Sequence, residues 1–98
     1  MAVNNFTAFW MELVATFIFV YVILMVKEPI PIGIVFIGLL YFVKINNGAL
    51  NPAVTIAQYL NGDIQSDSFI WLVIAQICGG FGAYYFYNIM KSETTESS

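Results

Sequence analysis

The stretch NNGALNPAVTIAQYLNG, Asn46 to Gly62, decides the fold, because it joins a polar loop to a helix too short to cross a membrane. Asn51 stands where an N-cap belongs, Pro52 suits the first helical turn, and Asn61-Gly62 is typical of a helix end. The pattern predicts a helix over Pro52–Leu60 that is about 14 Å long. This length is about half of the hydrocarbon thickness of a bilayer.

The sequence around this stretch predicts a membrane protein. Of the 98 residues, 60% are hydrophobic and 9% are charged, which is more apolar content than a small soluble domain can bury. Apolar runs predict three spans at about 6–26, 30–44 and 68–90, and the second reaches full length only with flanking residues. We therefore expect an all-α, multi-pass integral protein of the lipid bilayer, with one repeat over 1–91 and a disordered polar tail over 92–98.

The composition also excludes several functions. The chain has no histidine or arginine, one cysteine and a formal charge of -3. These values argue against nucleic-acid binding, a catalytic triad, a Cys/His metal cluster and an internal disulfide. We expect no enzymatic activity, no cofactor and no metal site. Cys78 is predicted to be a small buried side chain, with a pore-facing thiol as the alternative.

The short helix has two interpretations. An amphipathic helix lying on the membrane surface would carry charged residues, and Pro52–Leu60 has none. The alternative is a re-entrant half-helix, in which residues 46–62 enter the membrane, turn at Asn51-Pro52 and leave on the same side. Irregular backbone at that depth must be buried by protein or line a water-filled cavity. We favour the re-entrant interpretation, with the loop beside a polar path.

The turning point would have a useful electrostatic character. The free N–H groups and aligned dipoles place about half a positive charge at the Pro52 end of the helix. The side chain of Asn51 can point an amide donor into the path. Cations are disfavoured there, so the predicted solutes are water and small neutral molecules that form hydrogen bonds.

Polar and small residues in the spans suggest how the loop and the helices are held. A charge inside a span costs about 2.5–3.5 kcal/mol, so Glu12 should face protein or water; we expect it to accept hydrogen bonds from loop amides, with a proton relay as the alternative. Gln76 is predicted to bond either the loop backbone or another helix. Ala75, Gly79 and Ala83 form a close-packing stripe, placed within the chain in preference to a dimer seam.

Three segments carry a resemblance to a known family. GALNPAVTIA, Gly48 to Ala57, resembles the pore loop of the aquaporin and aquaglyceroporin family, the major intrinsic proteins. MELVATF, Met11 to Phe17, is similar to the pattern of that family's first helix, and IAQICGGFGA, Ile74 to Ala83, to that of its third. The order and spacing of the segments also fit, and together they cover nearly the whole chain.

The resemblance implies that this chain holds one of two inverted repeats. In the family the two half-helices meet at their Asn-Pro-Ala ends, and both repeats supply pore walls. The missing wall would then come from an antiparallel second copy of the chain or from another aquaporin-family chain. The numbers of lysines on the two sides of the membrane differ by only one, whichever way the chain is oriented. So small a difference is compatible with insertion in both orientations.

The resemblance also implies a pore site in the loop and the first turn of the half-helix. The predicted pore residues are Gly48, Ala49, Leu50, Asn51, Pro52, Ala53 and Val54, the first three through their backbone carbonyls. Ala49 and Val54 stand where the family often has a histidine and an arginine. The resulting wider and more apolar constriction favours glycerol alongside water. The leading hypothesis is a passive channel half; the alternatives are a non-conducting regulatory subunit of another family member and a gene fragment without a stable fold.

Overall fold

The computed structural model describes residues 4–97, and every regular element in that range is helical. The four α-helices are α1 (Asn5–Val26), α2 (Pro29–Val43), α3 (Pro52–Leu60) and α4 (Ser66–Ser97). A short 3-10 helix, Lys44–Asn46, follows α2. Residues 1–3 and 98, which belong to the predicted repeat and the predicted tail, lie outside the described residues.

Three helical segments are long and apolar enough to cross a membrane. They are Asn5–Val26, Pro29–Asn46 and Ser66–Glu93, with 22, 18 and 28 residues. These segments confirm the predicted all-α membrane class with three spans. The second segment reaches 18 residues because the 3-10 helix extends α2, which supplies the flanking residues that its short apolar run requires.

Helices α1 and α4 run parallel to one another. At one end, the Asn5 side chain donates to Asp67 Oδ2 at 2.9 Å. At the other, the ring centroids of Tyr21 and Tyr87 lie 6.3 Å apart. Both helices therefore begin on the same side of the bundle.

Helix α2 runs antiparallel to α1. The rings of Phe19 and Phe36 lie 4.8 Å apart, and further along the pair Asn46 Nδ2 donates to the Ala8 carbonyl at 3.2 Å. The end of α2 thus returns to the start of α1. The loop and α3, which lie between α2 and α4 in sequence, leave from this end and must return to it.

A stripe of small residues lets α1 and α4 approach closely. Ala75, Gly79 and Ala83 are all buried, and a Cβ atom added to Gly79 would lie 2.7 Å from the Leu13 carbonyl oxygen. Such a contact requires glycine because backbone lies against backbone. The stripe therefore packs inside the chain, between these two helices.

The end of the chain differs from the expectation of disorder over 92–98. Helix α4 continues without a break through the polar residues to Ser97. Each added residue extends an existing helix and gains a hydrogen bond without a new nucleation step. Glu93 and Glu96 are also good helix formers. Ser98 lies outside the described residues.

Candidate pore loop and half-helix

A buried carboxylate on α1 holds the loop that precedes α3. Glu12 is fully buried, and its Oε2 atom accepts the amide of Ala49 at 3.1 Å and that of Leu50 at 2.7 Å. Glu12 lies seven residues beyond the start of α1 at Asn5, which corresponds to about 10 Å of helix. The loop therefore reaches about 10 Å along α1 from the end of the bundle where α1 begins.

Gly48 allows the loop to pass this close to its neighbours. Its amide donates to the Val43 carbonyl at 3.1 Å. A Cβ atom added to Gly48 would overlap Glu12 Oε1 and lie 2.6 Å from the Cβ atom of Val43. Since real Cβ atoms do not approach so closely, only glycine fits at this position.

Leu50 adopts an unusual backbone conformation for a branched residue. Its φ is 59°, in the left-handed region that leucine rarely occupies. Its side chain packs in a buried cluster with Ala15 and Val43, and its amide is held by Glu12. Packing and hydrogen bonding together maintain the conformation, which turns the chain toward α3.

Gln76 links three helices beneath the loop. Its Nε2 atom donates to Glu12 Oε2 at 2.6 Å and to Thr55 Oγ1 at 2.7 Å. The sequence allowed Gln76 to bond either the loop backbone or another helix. In the structure it bonds side chains of two other helices and not the loop backbone. Thr55 is fully buried and was not singled out from the sequence.

The N-terminal end of α3 is capped by Asn51 and left uncovered. Asn51 Oδ1 accepts the amide of Ala53 at 2.8 Å, whereas its Nδ2 group has no partner among residues 4–97. Asn51, Pro52 and Ala53 are exposed, and Val54 is 45% exposed. The first turn of α3 therefore presents an amide donor and a helix N-terminus on an open face.

The loop offers hydrogen-bond acceptors through its backbone. Ala49 and Leu50 are each only 5% exposed, with the backbone included, so in the single chain these two residues have little surface to offer a solute. Within the described chain, the carbonyl oxygens of Gly48, Ala49 and Leu50 accept no hydrogen bond. Together with the Asn51 amide, they provide acceptors and a donor close together in sequence.

An open cavity of about 450 Å³ adjoins the loop. Ile37, Leu40 and Tyr41 form its α2 wall, and its polar lining residues are Lys44, Asn47, Gly48 and Gln58. The groove, as we call this cavity, lies between α2, the loop and α3. From the sequence, the lysines bear only on membrane topology, and the position of Lys44 beside the loop was not predicted.

A comparison with known families matches residues 30–98 to the family described as Major intrinsic protein. The chain belongs to the major intrinsic protein family. Comparisons with curated proteins and with solved structures give no match. As a major intrinsic protein with three candidate spans, the chain is an integral multi-pass membrane protein with a channel-type function for water or small solutes.

The family match begins at Ile30, so it includes α3 and α4 but not α1. In this major intrinsic protein, α1 is joined to the matched region through Glu12, which binds both the loop and Gln76. The resemblance seen in Met11 to Phe17 therefore lies outside the matched residues.

In this major intrinsic protein, Cys78 differs from the sequence prediction, and Asn46 has a role that the sequence did not predict. Cys78 is exposed in the chain, so the prediction of a buried side chain is wrong; the next residue, Gly79, is the one that faces α1. Asn46 is fully buried and ties the end of the 3-10 helix to Ala8 on α1. The sequence placed Asn46 in the re-entrant stretch, and no local pattern marked its burial.

Proposed function

We propose that this chain is half of a passive transmembrane channel for water and small neutral solutes such as glycerol. The observation that carries the proposal is the uncovered N-terminal end of α3, where the free Nδ2 group of Asn51 directly follows the unpaired loop carbonyls in the sequence. A solute that loses hydration needs donors and acceptors along its path. The loop and half-helix supply both.

The same groups account for solute selection. The Asn51 amide donates to the oxygen of a water or hydroxyl group, and the carbonyls of Gly48, Ala49 and Leu50 accept its hydrogens. The partial positive charge at the start of α3 disfavours cations. With Val54 in the place where the family often has an arginine, the narrowest part of the path is left without a fixed positive charge, which favours glycerol alongside water.

A second chain completes the path in this proposal. The first turn of α3 and the groove are both open in the single chain, and an open polar face toward lipid is unfavourable. An inverted second copy brings its own α3 to face the first, so that the two Asn51 ends meet near the middle of the membrane. The path then has protein on both sides.

The test is osmotic permeability of liposomes that contain only the purified chain. We expect faster shrinkage in sucrose and faster glycerol entry than in empty liposomes. Asn51→Asp keeps a capping oxygen but removes the amide donor, so both rates should fall by about two- to tenfold, the value of one hydrogen bond. Asn88→Asp, the same change at an exposed residue of α4 that does not line the groove, should leave both rates unchanged.

If the chain is shown to be inserted and the permeability still equals that of empty liposomes, the chain alone does not form a channel. The regulatory-subunit alternative predicts that outcome, together with co-purification of a family member that carries the arginine missing here. Equal effects of Asn51→Asp and Asn88→Asp would show that the start of α3 does not contact the solute.

A further inference from the structure

The groove carries one fixed charge that its wall does not neutralise. Lys44 lines it at the point where the apolar part of the second span ends, and no acidic side chain is among its lining residues. Within the described residues Lys44 forms no ion pair, and its Nζ atom lies 6.0 Å from the centroid of the Tyr41 ring. The ammonium group of Lys44 therefore lies beside the groove near the Tyr41 ring, which is neutral and leaves its charge uncompensated.

Neither Glu12 nor Asp63 lines the groove, although the Glu12 Oε1 atom lies behind Gly48 without a hydrogen-bond partner among the described residues. Glu12 is buried behind Gly48, and its Oε2 atom accepts three donors. Asp63 accepts two contacts from the Asn61 side chain. The remaining polar lining comes from two amides, Asn47 and Gln58, and the Gln58 Oε1 atom is buried without a partner. The groove therefore combines a positive charge with neutral groups that bind polar solutes.

We propose that Lys44 is the charge-selecting residue of this channel and that it concentrates small anions, and repels small cations, at the mouth of the groove. The inference rests on the proposed function, because it places the groove at a mouth of the pore. In an antiparallel pair one Lys44 lies at each mouth. A unit charge at roughly 4 to 8 Å in water changes the local concentration of an ion by about two- to fivefold, which sets the size of the effect.

Three planar probes of four non-hydrogen atoms test the inference at low ionic strength: nitrate, urea and guanidinium. Each is added to liposomes containing the purified chain, and inhibition of glycerol entry is measured. For the natural chain we expect half-inhibition by nitrate at about two- to fivefold lower concentration than by urea, and half-inhibition by guanidinium at about two- to fivefold higher concentration than by urea. Lys44→Gln should remove the difference, and Lys44→Glu should reverse the order.

Lys91 provides the matched control. Its Nζ atom also lies 6.0 Å from a tyrosine ring centroid, that of Tyr87, but it does not line the groove. Lys91→Gln should retain the preference for nitrate. If Lys44 only contacts lipid phosphates, nitrate and guanidinium will inhibit equally in all variants, and the inference is overturned while the channel proposal stands.

A second readout separates this inference from conduction. Amine-reactive labelling, followed by mass spectrometry, measures how readily each lysine reacts. We expect nitrate to slow labelling of Lys44 more than that of Lys91, and guanidinium to slow neither. If the liposomes do not conduct but nitrate still protects Lys44, the anion site is supported and the channel proposal is contradicted. Equal protection of both lysines would contradict the anion site.

Discussion

The amide of Leu50 donates to Glu12 Oε2 at 2.7 Å, although the two residues are 38 positions apart in the chain. This contact joins a helix that spans the membrane to a loop that does not. Leu50 is held there in a left-handed conformation, and α3 begins two residues later. The position of the proposed pore loop therefore depends on one buried carboxylate.

Replacing Glu12 should destabilise the protein strongly. Glu12→Ala leaves three buried donors, Ala49 N, Leu50 N and Gln76 Nε2, without their acceptor. At about 1–3 kcal/mol for each unpaired group, the free energy of unfolding should fall by at least about 3 kcal/mol. Denaturant unfolding in a mild detergent measures the loss. Glu28→Ala, at an exposed carboxylate, should change the value by less than about 0.5 kcal/mol; equal effects would contradict the assigned role.

Alanine at two glycines should have opposite effects. Gly48→Ala places a methyl group against Val43 and Glu12, so we expect a stability loss of about 1–3 kcal/mol or more and reduced glycerol entry. Gly38→Ala, inside α2 with open space around it, should stabilise the chain by about 0.5–1 kcal/mol. Thermal unfolding in detergent compares the two. A tolerated Gly48→Ala would mean that the loop does not pass this close to α1.

The seam between α1 and α4 can be tested with neighbouring residues. Gly79→Ala forces a methyl group toward the Leu13 carbonyl oxygen, whereas Gly80→Ala enters open space. We expect Gly79→Ala to reduce the free energy of unfolding by about 1–3 kcal/mol and so to lower the unfolding temperature. Gly80→Ala should leave the unfolding temperature unchanged or raise it. If both variants lower it equally, the stripe does not pack as described.

Dual insertion predicts labelling from both sides of the membrane. A single cysteine placed by Asp63→Cys, in a Cys78→Ala background, lies in the exposed connector after α3. In sealed vesicles, an impermeant thiol reagent should label about half of the molecules from outside and the rest only after permeabilisation. Labelling from one side only would exclude an antiparallel homodimer and favour a different partner chain.

Local chemistry was sufficient to predict α3 and its cap. The Asn-Pro start and the Asn-Gly end each have a direct effect on the helix backbone. The unfavourable energy of a lone charge in a span also indicated that Glu12 must find donors. The contact in the structure, with the loop amides, is the one expected from the sequence.

The remaining features depend on packing between distant segments. Nothing near Asn46 or Thr55 shows that each is fully buried, because α1 and α4 supply the covering atoms. The groove beside Lys44 exists only once α2 and α3 are brought together. Cys78 was misplaced since the pattern of small residues did not establish which side of α4 faces α1.

In the proposed channel, α3 enters the membrane with its Asn51 end deepest. The most direct measurement is the membrane depth of spin labels at Ala53→Cys and Leu60→Cys, each in a Cys78→Ala background, from the relative accessibility to oxygen and to a water-soluble relaxation agent. We expect the Ala53 label to lie about 10 Å deeper than the Leu60 label, which is the length of seven helical residues. Equal depths at the head groups, or a Leu60 label deeper than the Ala53 label, would contradict it.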